Sequence, residues 1–398
     1  MKNYNLFEVF AGIGSQHRAF SKIEDEKFKI NLVGTCEWDM YAVISYMHIH
    51  NMYDPNFKIE DKINLEEYFK NKEYSLDSKK ISKNFYKKNK KDLEQLYQAE
   101  KKMNNFPNVQ RLSGEDIIKL KVDILTYSFP CQDLSMAGKG KGMKKNSNTR
   151  SGLLWEIERI LLEIQNINRN KLPKFLLLEN VETLFYKNNI EDYKLWKKFL
   201  NKLGYVTFDG ILNAKDFGIP QNRRRTFAIS ILNYNGKYLN LSKEKSINEI
   251  FEKLNIKNKE GNIKDFLCID YKNKKYKKEA LEATPNHTEY REKMWEVSKR
   301  IYSNKKFNYE NVFTIMTKQD RIPNAGMIEH IDKKRGYKYR MLSPRECFRL
   351  MGFSDEDYDK LLDLNISRER RYRFAGNSIV VNVLEEIFKI FIKEIDYD

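Results

Sequence analysis

A short apolar run that is ended by a proline constrains the fold more than any other feature. Residues Val122 to Tyr127 are rich in β-forming side chains and are bounded by polar ones, the pattern of a central strand in a parallel sheet. Pro130 cannot donate a hydrogen bond to a sheet and fixes its own φ angle, so the chain leaves the sheet there. Cys131 follows directly and is predicted at the carboxyl edge of the sheet, where open α/β folds bind their ligands. A small buried cysteine is the alternative for this residue taken alone.

A second apolar run predicts a neighbouring strand that delivers a carboxylate. The run Phe175 to Leu178 leads into Glu179, which we expect at the same sheet edge as Cys131. A carboxyl group beside a thiol in an apolar pocket suits an acid that protonates a substrate ring nitrogen or donates a hydrogen bond to it.

Three consecutive arginines lie further along the chain in an extended stretch. Arg223 and Arg225 are two residues apart, so both are predicted on one face of the strand, with Arg224 on the other. Two guanidinium groups that enter an α/β site favour an anionic or electron-rich ligand. A salt-bridged surface pair is the alternative.

The amino-terminal stretch reads as a strand, a tight glycine turn over Ala11 to Ser15, and the start of a helix. A second strand ends at Glu37, about 20 positions beyond the turn, where βαβ units hold ribose hydroxyls. The turn lacks the GxGxxG pattern that binds a pyrophosphate. Its absence favours a nucleoside ligand without a pyrophosphate, such as S-adenosylmethionine. Asp116 either accepts a hydrogen bond from an adenine amino group or caps a turn.

Composition limits the partners and the compartment. The 398 residues carry a net charge of +17, which favours a polyanionic partner, although a lysine-rich composition also arises in AT-rich genomes. Four widely spaced cysteines without a CxxC pair indicate neither a disulfide framework nor a metal site. Without a signal-peptide pattern or an apolar run of about 18 residues, the protein is expected to be cytoplasmic and not membrane-bound.

Two polar segments interrupt the α/β pattern. Residues 52–112 are dominated by Lys, Asn, Glu and Tyr and are interpreted as an inserted helical arm, either solvated or in contact with DNA. Residues 137–150 are rich in glycine and lysine, as expected of a lid that closes over a phosphate backbone.

Eight motifs, taken together and in this order, resemble the cytosine-C5 DNA methyltransferases. They are Phe10–Gly14 (first cofactor motif), Glu37–Trp38 (ribose site), Asp116 (adenine site), Phe129–Gln132 (nucleophile loop), Glu179–Val181 (ENV), Gln221–Arg225 (QxRxR), Arg340–Cys347 (RxLTPRE, with Ser343 for Thr) and Ala375–Val381 (GNSV). The long insert after Asn51 and a variable region near residues 235–335 depart from the family pattern.

The resemblance implies a Rossmann-like α/β methyltransferase domain that uses S-adenosylmethionine, with a second, smaller target-recognition domain. The expected boundaries are 1–234 for the catalytic domain, 235–353 for target recognition and 354–398 for a segment that returns to the catalytic domain. The implied reaction is methyl transfer to C5 of a flipped cytosine through a covalent bond between Cys131 and C6.

The resemblance also assigns site residues. The implied catalytic residues are Cys131, Glu179, Arg223 and Arg225. The implied cofactor residues are Phe10, Ala11, Gly12, Ile13, Gly14, Glu37, Trp38, Asp116, Ile117, Pro130, Asn377 and Ser378. The expected DNA-binding residues are Gln132, Ser135, Lys139, Arg150, Gln221, Thr314, Gln319 and Arg321.

The expected partner is double-stranded DNA, bound by a monomer without a metal. A resemblance to bacterial restriction-modification enzymes adds an endonuclease that acts on the same DNA site without direct contact. A tRNA cytosine-C5 methyltransferase and a catalytically silent DNA-binding relative are the alternatives. The tRNA enzyme would need little apparatus for reading a sequence, whereas about 100 residues are expected to have that role here. The presence of Cys131 and Glu179 counts against a catalytically silent relative.

Overall fold

The structure is a computed structural model that describes residues 2–25, 28–130, 150–234, 246–256, 259–286, 288–319, 321–332 and 336–392. The chain divides into a larger unit, Met1–Leu212 with Arg224–Leu254 and Leu384–Asp398, and a smaller unit, Asn213–Arg223 with Asn255–Val383. The later divisions lie after Leu254 and after Val383, whereas the predicted boundaries lay after residues 234 and 353. The last difference arises because two helices that follow residue 354 pack within the smaller unit.

The strands of the described residues are β1 (Lys2–Val9), β2 (Phe28–Cys36), β3 (Asn105–Phe106), β4 (Ile124–Tyr127), β5 (Phe175–Val181), β6 (Tyr205–Asn213), β7 (Gln221–Asn222), β8 (Arg224–Leu232), β9 (Arg300–Ser303), β10 (Lys306–Phe307), β11 (Val312–Phe313), β12 (Met327–Asp332) and β13 (Tyr337–Met341).

The α-helices of the described residues are α1 (Ser15–Ile23), α2 (Met40–Ile49), α3 (Leu65–Phe69), α4 (Lys90–Met103), α5 (Gly114–Lys119), α6 (Leu154–Asn168), α7 (Ile190–Leu203), α8 (Ile247–Lys253), α9 (Ile263–Phe266), α10 (Lys274–Glu282), α11 (Glu289–Glu296), α12 (Pro344–Arg349), α13 (Asp355–Asp363), α14 (Arg368–Asn377) and α15 (Val381–Phe391). None of the helices in these ranges is long and apolar enough to cross a membrane.

A seven-stranded sheet in the order β3-β2-β1-β4-β5-β8-β6 organises the larger unit. The first five strands in this order run parallel to one another, and β8 runs antiparallel to β5. The strand order reverses between β1 and β4, and open α/β sheets bind ligands beyond the carboxyl ends of their strands at such a point. The predicted α/β fold class is confirmed.

Apolar side chains of α6 and α7 cover one face of this sheet. Ile160 and Ile164 of α6 and Trp196 of α7 belong to one buried cluster with Leu125 of β4 and Leu178 of β5. Each large side chain removed from water in this way stabilises the fold by about 1.5–3 kcal/mol. The helices therefore fix β4 and β5, the two strands whose ends were predicted to carry the chemistry.

The last helix packs on the sheet from the other side. Phe388 of α15 stacks on Phe20 of α1 with ring centroids 3.7 Å apart and lies 6.2 Å from the ring of Phe175 in β5. Residues 384–391 of α15 thus contribute to the core of the larger unit.

The lysine-rich insert is a folded part of the larger unit, which differs from the expected solvated arm. Its aromatic side chains Phe69, Tyr74 and Phe85 are buried and pack edge to face. Its strand β3 joins β2 at the edge of the main sheet. Phenylalanine and tyrosine, interleaved with the lysines, supply the burial that the composition as a whole does not suggest.

The smaller unit holds a four-stranded sheet in the order β10-β9-β12-β13. The side chains of Arg340 and Glu346 are both fully buried and pair at 2.8 Å, and Arg345 pairs with Glu279 at 2.8 Å. Burial raises the pKa of Glu346, but Arg340 and the backbone N–H groups of Ser343 and Cys268 together hold it below its ordinary value. Because both side chains are fully buried, removal of either one would leave an unpaired buried charge.

Candidate active site

The turn after β1 depends on glycine at two positions. Gly12 and Gly14 have φ angles of 56° and 80°, in the left-handed region that glycine adopts without strain. A Cβ atom on Gly14 would lie 2.3 Å from Nε2 of His50, so only glycine fits there. A Cβ atom on Gly12 would meet nothing within 4 Å, so space lies beside the turn at that position.

The carboxylate of Glu37 closes the end of β2 against this turn. Its Oε2 accepts a hydrogen bond from the backbone N–H of Gly12 at 2.9 Å, and its Oε1 accepts from those of Trp38 and Asp39 at 2.9 and 2.8 Å. A carboxylate offers about four acceptor positions, so roughly one remains for a ligand hydroxyl without displacing a backbone donor. Burial raises the pKa of Glu37 to about 7, despite these three donors.

A buried polar group supports the turn from behind. Glu8 of β1 accepts hydrogen bonds from the hydroxyl of Tyr46 and, at 3.0 Å, from the backbone N–H of His17. His50 Nε2 lies 3.1 Å from the carbonyl of Ile13 within the turn. Burial raises the pKa of Glu8 to about 7 and lowers that of His17 to about 4.

Asp116 caps a helix instead of facing this edge of the sheet. Its carboxylate accepts hydrogen bonds from Ser113 N at 2.9 Å and Ser113 Oγ at 2.6 Å, which forms a capping box at the start of α5. Ile117 is buried in the core below the helix. These hydrogen bonds fit the second of the two predicted roles of Asp116, a cap, and not a contact with adenine. The third strand end beside Glu37 belongs to β3, where Phe106 pairs with Cys36.

Asn180 ties the ends of β4 and β5 together. Its Nδ2 donates to the carbonyl of Phe129 at 3.0 Å, and its Oδ1 accepts from Val181 N at 2.9 Å. Pro130 is half-buried at the end of the described segment. Cys131, Gln132, Ser135 and Lys139 lie outside the described residues, and only the backbone of Arg150 is described.

Glu179 alternates with Asn180 along β5 and faces Arg225 of β8. The Nε atom of Arg225 lies 3.5 Å from Oε1 of Glu179, and both side chains are largely buried. A second bond runs from Nη1 of Arg225 to the carbonyl of Arg224 at 2.7 Å. A carboxyl group and a guanidinium group thus meet on neighbouring strands, next to the strand that leads into Cys131.

Arg223 has different partners, so the prediction that it shares a face with Arg225 is wrong. Its guanidinium group is buried within the smaller unit and donates to the carbonyls of Ile315, Gly376 and Ser378 at 2.9–3.0 Å. The extended run on which the alternation rested is interrupted, because Arg223 N bonds to the carbonyl of Gln221. This buried guanidinium group thus joins Arg223 to two other backbone segments, at Ile315 and at residues 376–378.

Gln221 is also a buried structural residue, which argues against the predicted contact with DNA. Its Nε2 donates to the carbonyl of Leu350 at 2.7 Å, and its Oε1 accepts from Ile315 N at 3.0 Å. Gln319 is likewise fully buried, and its Oε1 accepts from Ala325 N at 3.1 Å. Neither side chain is placed to read a base edge from the surface of its unit.

The other predicted residues of the smaller unit lie nearer its surface. Thr314 Oγ1 donates to the carbonyl of Asn222 at 2.8 Å, and Arg321 forms an exposed ion pair with Glu369 at 3.6 Å. Asn377 is exposed at the end of α14, whereas Ser378 is buried and donates from Oγ to the carbonyl of Phe374. Within the described ranges no cluster of three or more His, Cys, Asp or Glu could hold a metal ion.

Sequence reasoning missed the residues that support the site. Glu8 was the available signal, because it is a charged residue inside an apolar strand. Tyr46 and His50 are four residues apart and so lie on one face at the end of α2, but nothing in the sequence shows that this face meets the glycine turn.

Comparisons with known proteins identify the family. A family model described as C-5 cytosine-specific DNA methylase matches residues 61–393. The chain is 37% identical over 406 residues to the orphan methyltransferase M.SssI of Spiroplasma monobiae, which covers 97% of this chain and 96% of that protein. It is 34% identical over 397 residues to the type II methyltransferase M2.ScrFI of Lactococcus lactis, which covers 98% and 99%.

Among solved structures, the Dnmt2 methyltransferase of S. pombe matches with a TM-score of 0.65 and 18% identity over the whole of both chains, which shows a shared fold. The family model and the two full-length relatives together establish that the chain belongs to the C-5 cytosine-specific DNA methylase family.

Proposed function

We propose that the protein transfers a methyl group from S-adenosylmethionine to C5 of a cytosine within a specific sequence of duplex DNA. One observation carries the proposal: Glu179 lies on β5, beside the strand that leads into Cys131, and meets Arg225 of the next strand, β8. Asn180 ties the ends of β4 and β5 together. The net charge of +17 suits a polyanionic substrate.

The residues around the glycine turn fit the nucleoside part of the cofactor. Gly12 leaves space beside the turn, and Glu37 keeps about one acceptor position for a ribose hydroxyl. Phe10 and Trp38 are half-buried at the same edge and offer apolar contacts. Asp116 and Ile117 have no part in this proposed site, while Asn377 remains a proposed cofactor residue through the family resemblance. When bound, S-adenosylmethionine supplies an electrophilic methyl group on a sulfonium sulfur.

The chemistry of cytosine explains why a thiol and an acid are needed together. C5 is a poor nucleophile until the Cys131 thiolate forms a bond to C6, while Glu179 gives a proton to N3. The enamine that results takes the methyl group at C5. The electron pair of the broken S–CH3 bond stays on the sulfonium sulfur, which leaves as a thioether. A base then removes the C5 proton, the electron pair re-forms the C5–C6 double bond, the Cys131 sulfur leaves as a thiolate, and N3 returns its proton to Glu179. Arg225 holds the Glu179 carboxyl group in place during these steps.

None of these steps is possible inside a duplex, so the target cytosine is flipped out of the base stack. Sequence reading is assigned to the smaller unit, where Thr314 and Arg321 remain candidates near its surface. We further propose that the enzyme acts as a monomer in the bacterial cytoplasm, where the DNA is. There it protects host DNA from an endonuclease that cuts the same site.

A mechanism-based adduct tests the proposal. Duplex DNA that contains 5-fluorocytosine in place of cytosine is incubated with S-adenosylmethionine and with wild type or Cys131→Ala. We expect a denaturation-resistant protein–DNA adduct with wild type only, because fluorine at C5 cannot leave as a proton does. Ordinary duplex DNA and bulk tRNA are assayed in parallel for methyl incorporation. Turnover on ordinary DNA without an adduct, or methylation of tRNA alone, would refute the proposal.

A further inference from the structure

A single buried side chain joins the lysine-rich insert to the end of β2. Asn105, on the two-residue strand β3, uses its full hydrogen-bonding capacity. Its Oδ1 accepts from Thr35 Oγ1 at 2.9 Å and from the backbone N–H of Glu37 at 3.1 Å. Its Nδ2 donates to the carbonyl of Glu37 at 3.1 Å and to the hydroxyl of Tyr74 at 3.0 Å. Asn105 therefore bonds to both peptide groups of Glu37, and the N–H of Glu37 also donates to the carbonyl of Phe106 at 3.1 Å.

The network continues into the core of the insert. The Tyr74 hydroxyl donates in turn to Glu100 of α4, and the other carboxylate oxygen of Glu100 accepts from Tyr68 and Lys72. Tyr74 and Glu100 are buried. A buried carboxylate with this many donors is held in one position, and it orients the Tyr74 hydroxyl toward Asn105.

A second connection holds the residues just after Glu37. Ser75 N donates to the carbonyl of Trp38 at 2.7 Å, and Met40 N donates to the carbonyl of Ser75 at 3.0 Å. Ser78 donates from its hydroxyl to Asp39, the residue that caps α2. The insert thus contacts each residue from 37 to 40, whereas its lysines at 87, 88, 90 and 91 are exposed.

We propose that the insert positions the side-chain carboxylate of Glu37 for binding the cofactor, and that Asn105 and Tyr74 are the positioning residues. The inference rests on the proposed function, in which Glu37 receives a ribose hydroxyl. Three of the four acceptor positions of Glu37 are taken by backbone donors, so a small rotation of its peptide groups changes the one left for the ligand. The insert accordingly sets the affinity for S-adenosylmethionine and leaves the affinity for DNA unchanged.

The test compares Tyr74→Phe and Asn105→Ala with a matched control. Tyr205→Phe is that control, because Tyr205 is also buried in the larger unit and its hydroxyl makes a bond of 2.7 Å to the carbonyl of Pro173, away from the cofactor edge. Dissociation constants for S-adenosylmethionine are measured by calorimetry and those for duplex DNA by anisotropy. Steady-state kinetics and thermal unfolding are recorded for every variant.

Tyr74→Phe should raise the dissociation constant and the KM for S-adenosylmethionine about five- to tenfold, the effect of one buried hydrogen bond, and Asn105→Ala should raise both further. The kcat at saturating cofactor and the DNA affinity should stay within twofold of wild type. Tyr205→Phe should change only the thermal stability. Glu37→Ala, which removes the carboxylate itself, should give the largest increase in the dissociation constant for S-adenosylmethionine.

A cofactor affinity within twofold of wild type in folded Tyr74→Phe and Asn105→Ala would overturn the inference and leave the proposed function intact. A parallel fall of kcat, DNA affinity and stability would also overturn it, since that is the result of a merely structural role. If wild type itself binds no S-adenosylmethionine, the proposed function fails first and the inference fails with it.

Discussion

The buried carboxyl group of Glu8 should make the stability of the larger unit depend on pH in an unusual direction. Burial raises the pKa of Glu8 from 4.5 to about 7, although the Tyr46 hydroxyl and the His17 N–H lower it in part. The folded protein therefore holds a proton on Glu8 at a pH where the unfolded chain has lost it. Stability from this group is greatest near pH 4.5 and below and is lost as the pH rises toward 7.

The size of the effect follows from the two pKa values. Between about pH 5 and about pH 8, the linkage of a group with pKa values of 4.5 unfolded and 7 folded amounts to about 2.5 kcal/mol. His17 acts in the opposite direction, because burial lowers its pKa from 6.5 to about 4 and the unfolded chain alone loses this proton as the pH rises. Its contribution is common to wild type and to a Glu8 variant, so it cancels in their difference. Glu8→Gln keeps the shape of the side chain but cannot titrate.

Urea unfolding of wild type and Glu8→Gln at several pH values measures the effect as a difference, which cancels the titration of Glu37 and of every other group. The free energy of unfolding of wild type should fall by about 2.5 kcal/mol relative to the variant between pH 5 and pH 8. A constant difference across this range, or one that grows in favour of wild type at high pH, would show that Glu8 is ionised in the folded protein.

Substitutions at three arginines lead to further predictions. Arg225→Ala should lower turnover by about 10²-fold or more and leave the unfolding midpoint close to wild type. Arg223→Ala should instead lower the free energy of unfolding by at least about 3 kcal/mol, since it leaves three buried carbonyls without a donor. Equal effects of the two substitutions in both assays would contradict the separate roles. Arg340→Met should destabilise the protein by about 3–5 kcal/mol at neutral pH, and less in acid, where the unpaired Glu346 takes up a proton. A loss of stability that does not shrink in acid would contradict the pairing.

The sequence was sufficient for features that depend on one run of residues. The apolar runs before Pro130 and Glu179 each predicted a buried strand, and both strands are central in the sheet. The glycine turn and the acidic end of the second strand were found in the same way, because spacing along the chain determines them.

Features that depend on long-range contacts were not predictable. The alternation used for Arg223 assumed an unbroken strand, but β7 ends at Asn222 and β8 starts at Arg224. The third strand beside the cofactor edge is only Asn105–Phe106, which is too short for a periodic signal in the sequence. The support that the insert gives to Glu37 depends on one asparagine whose partners are up to 70 residues away.

The position of α15 in the larger unit affects how the chain folds during synthesis. The core around Phe20 and Phe175 is completed by Phe388, which the ribosome adds more than 360 residues after the first of these. The larger unit therefore reaches its final packing only after Phe388 has been synthesised, and the smaller unit can fold before it does. A fragment that stops before residue 384 leaves an apolar surface of the main sheet exposed, which favours aggregation or capture by chaperones. Split or circularly permuted forms with α15 placed ahead of β1 would remove this delay, because Phe388 would then precede its partners in the order of synthesis.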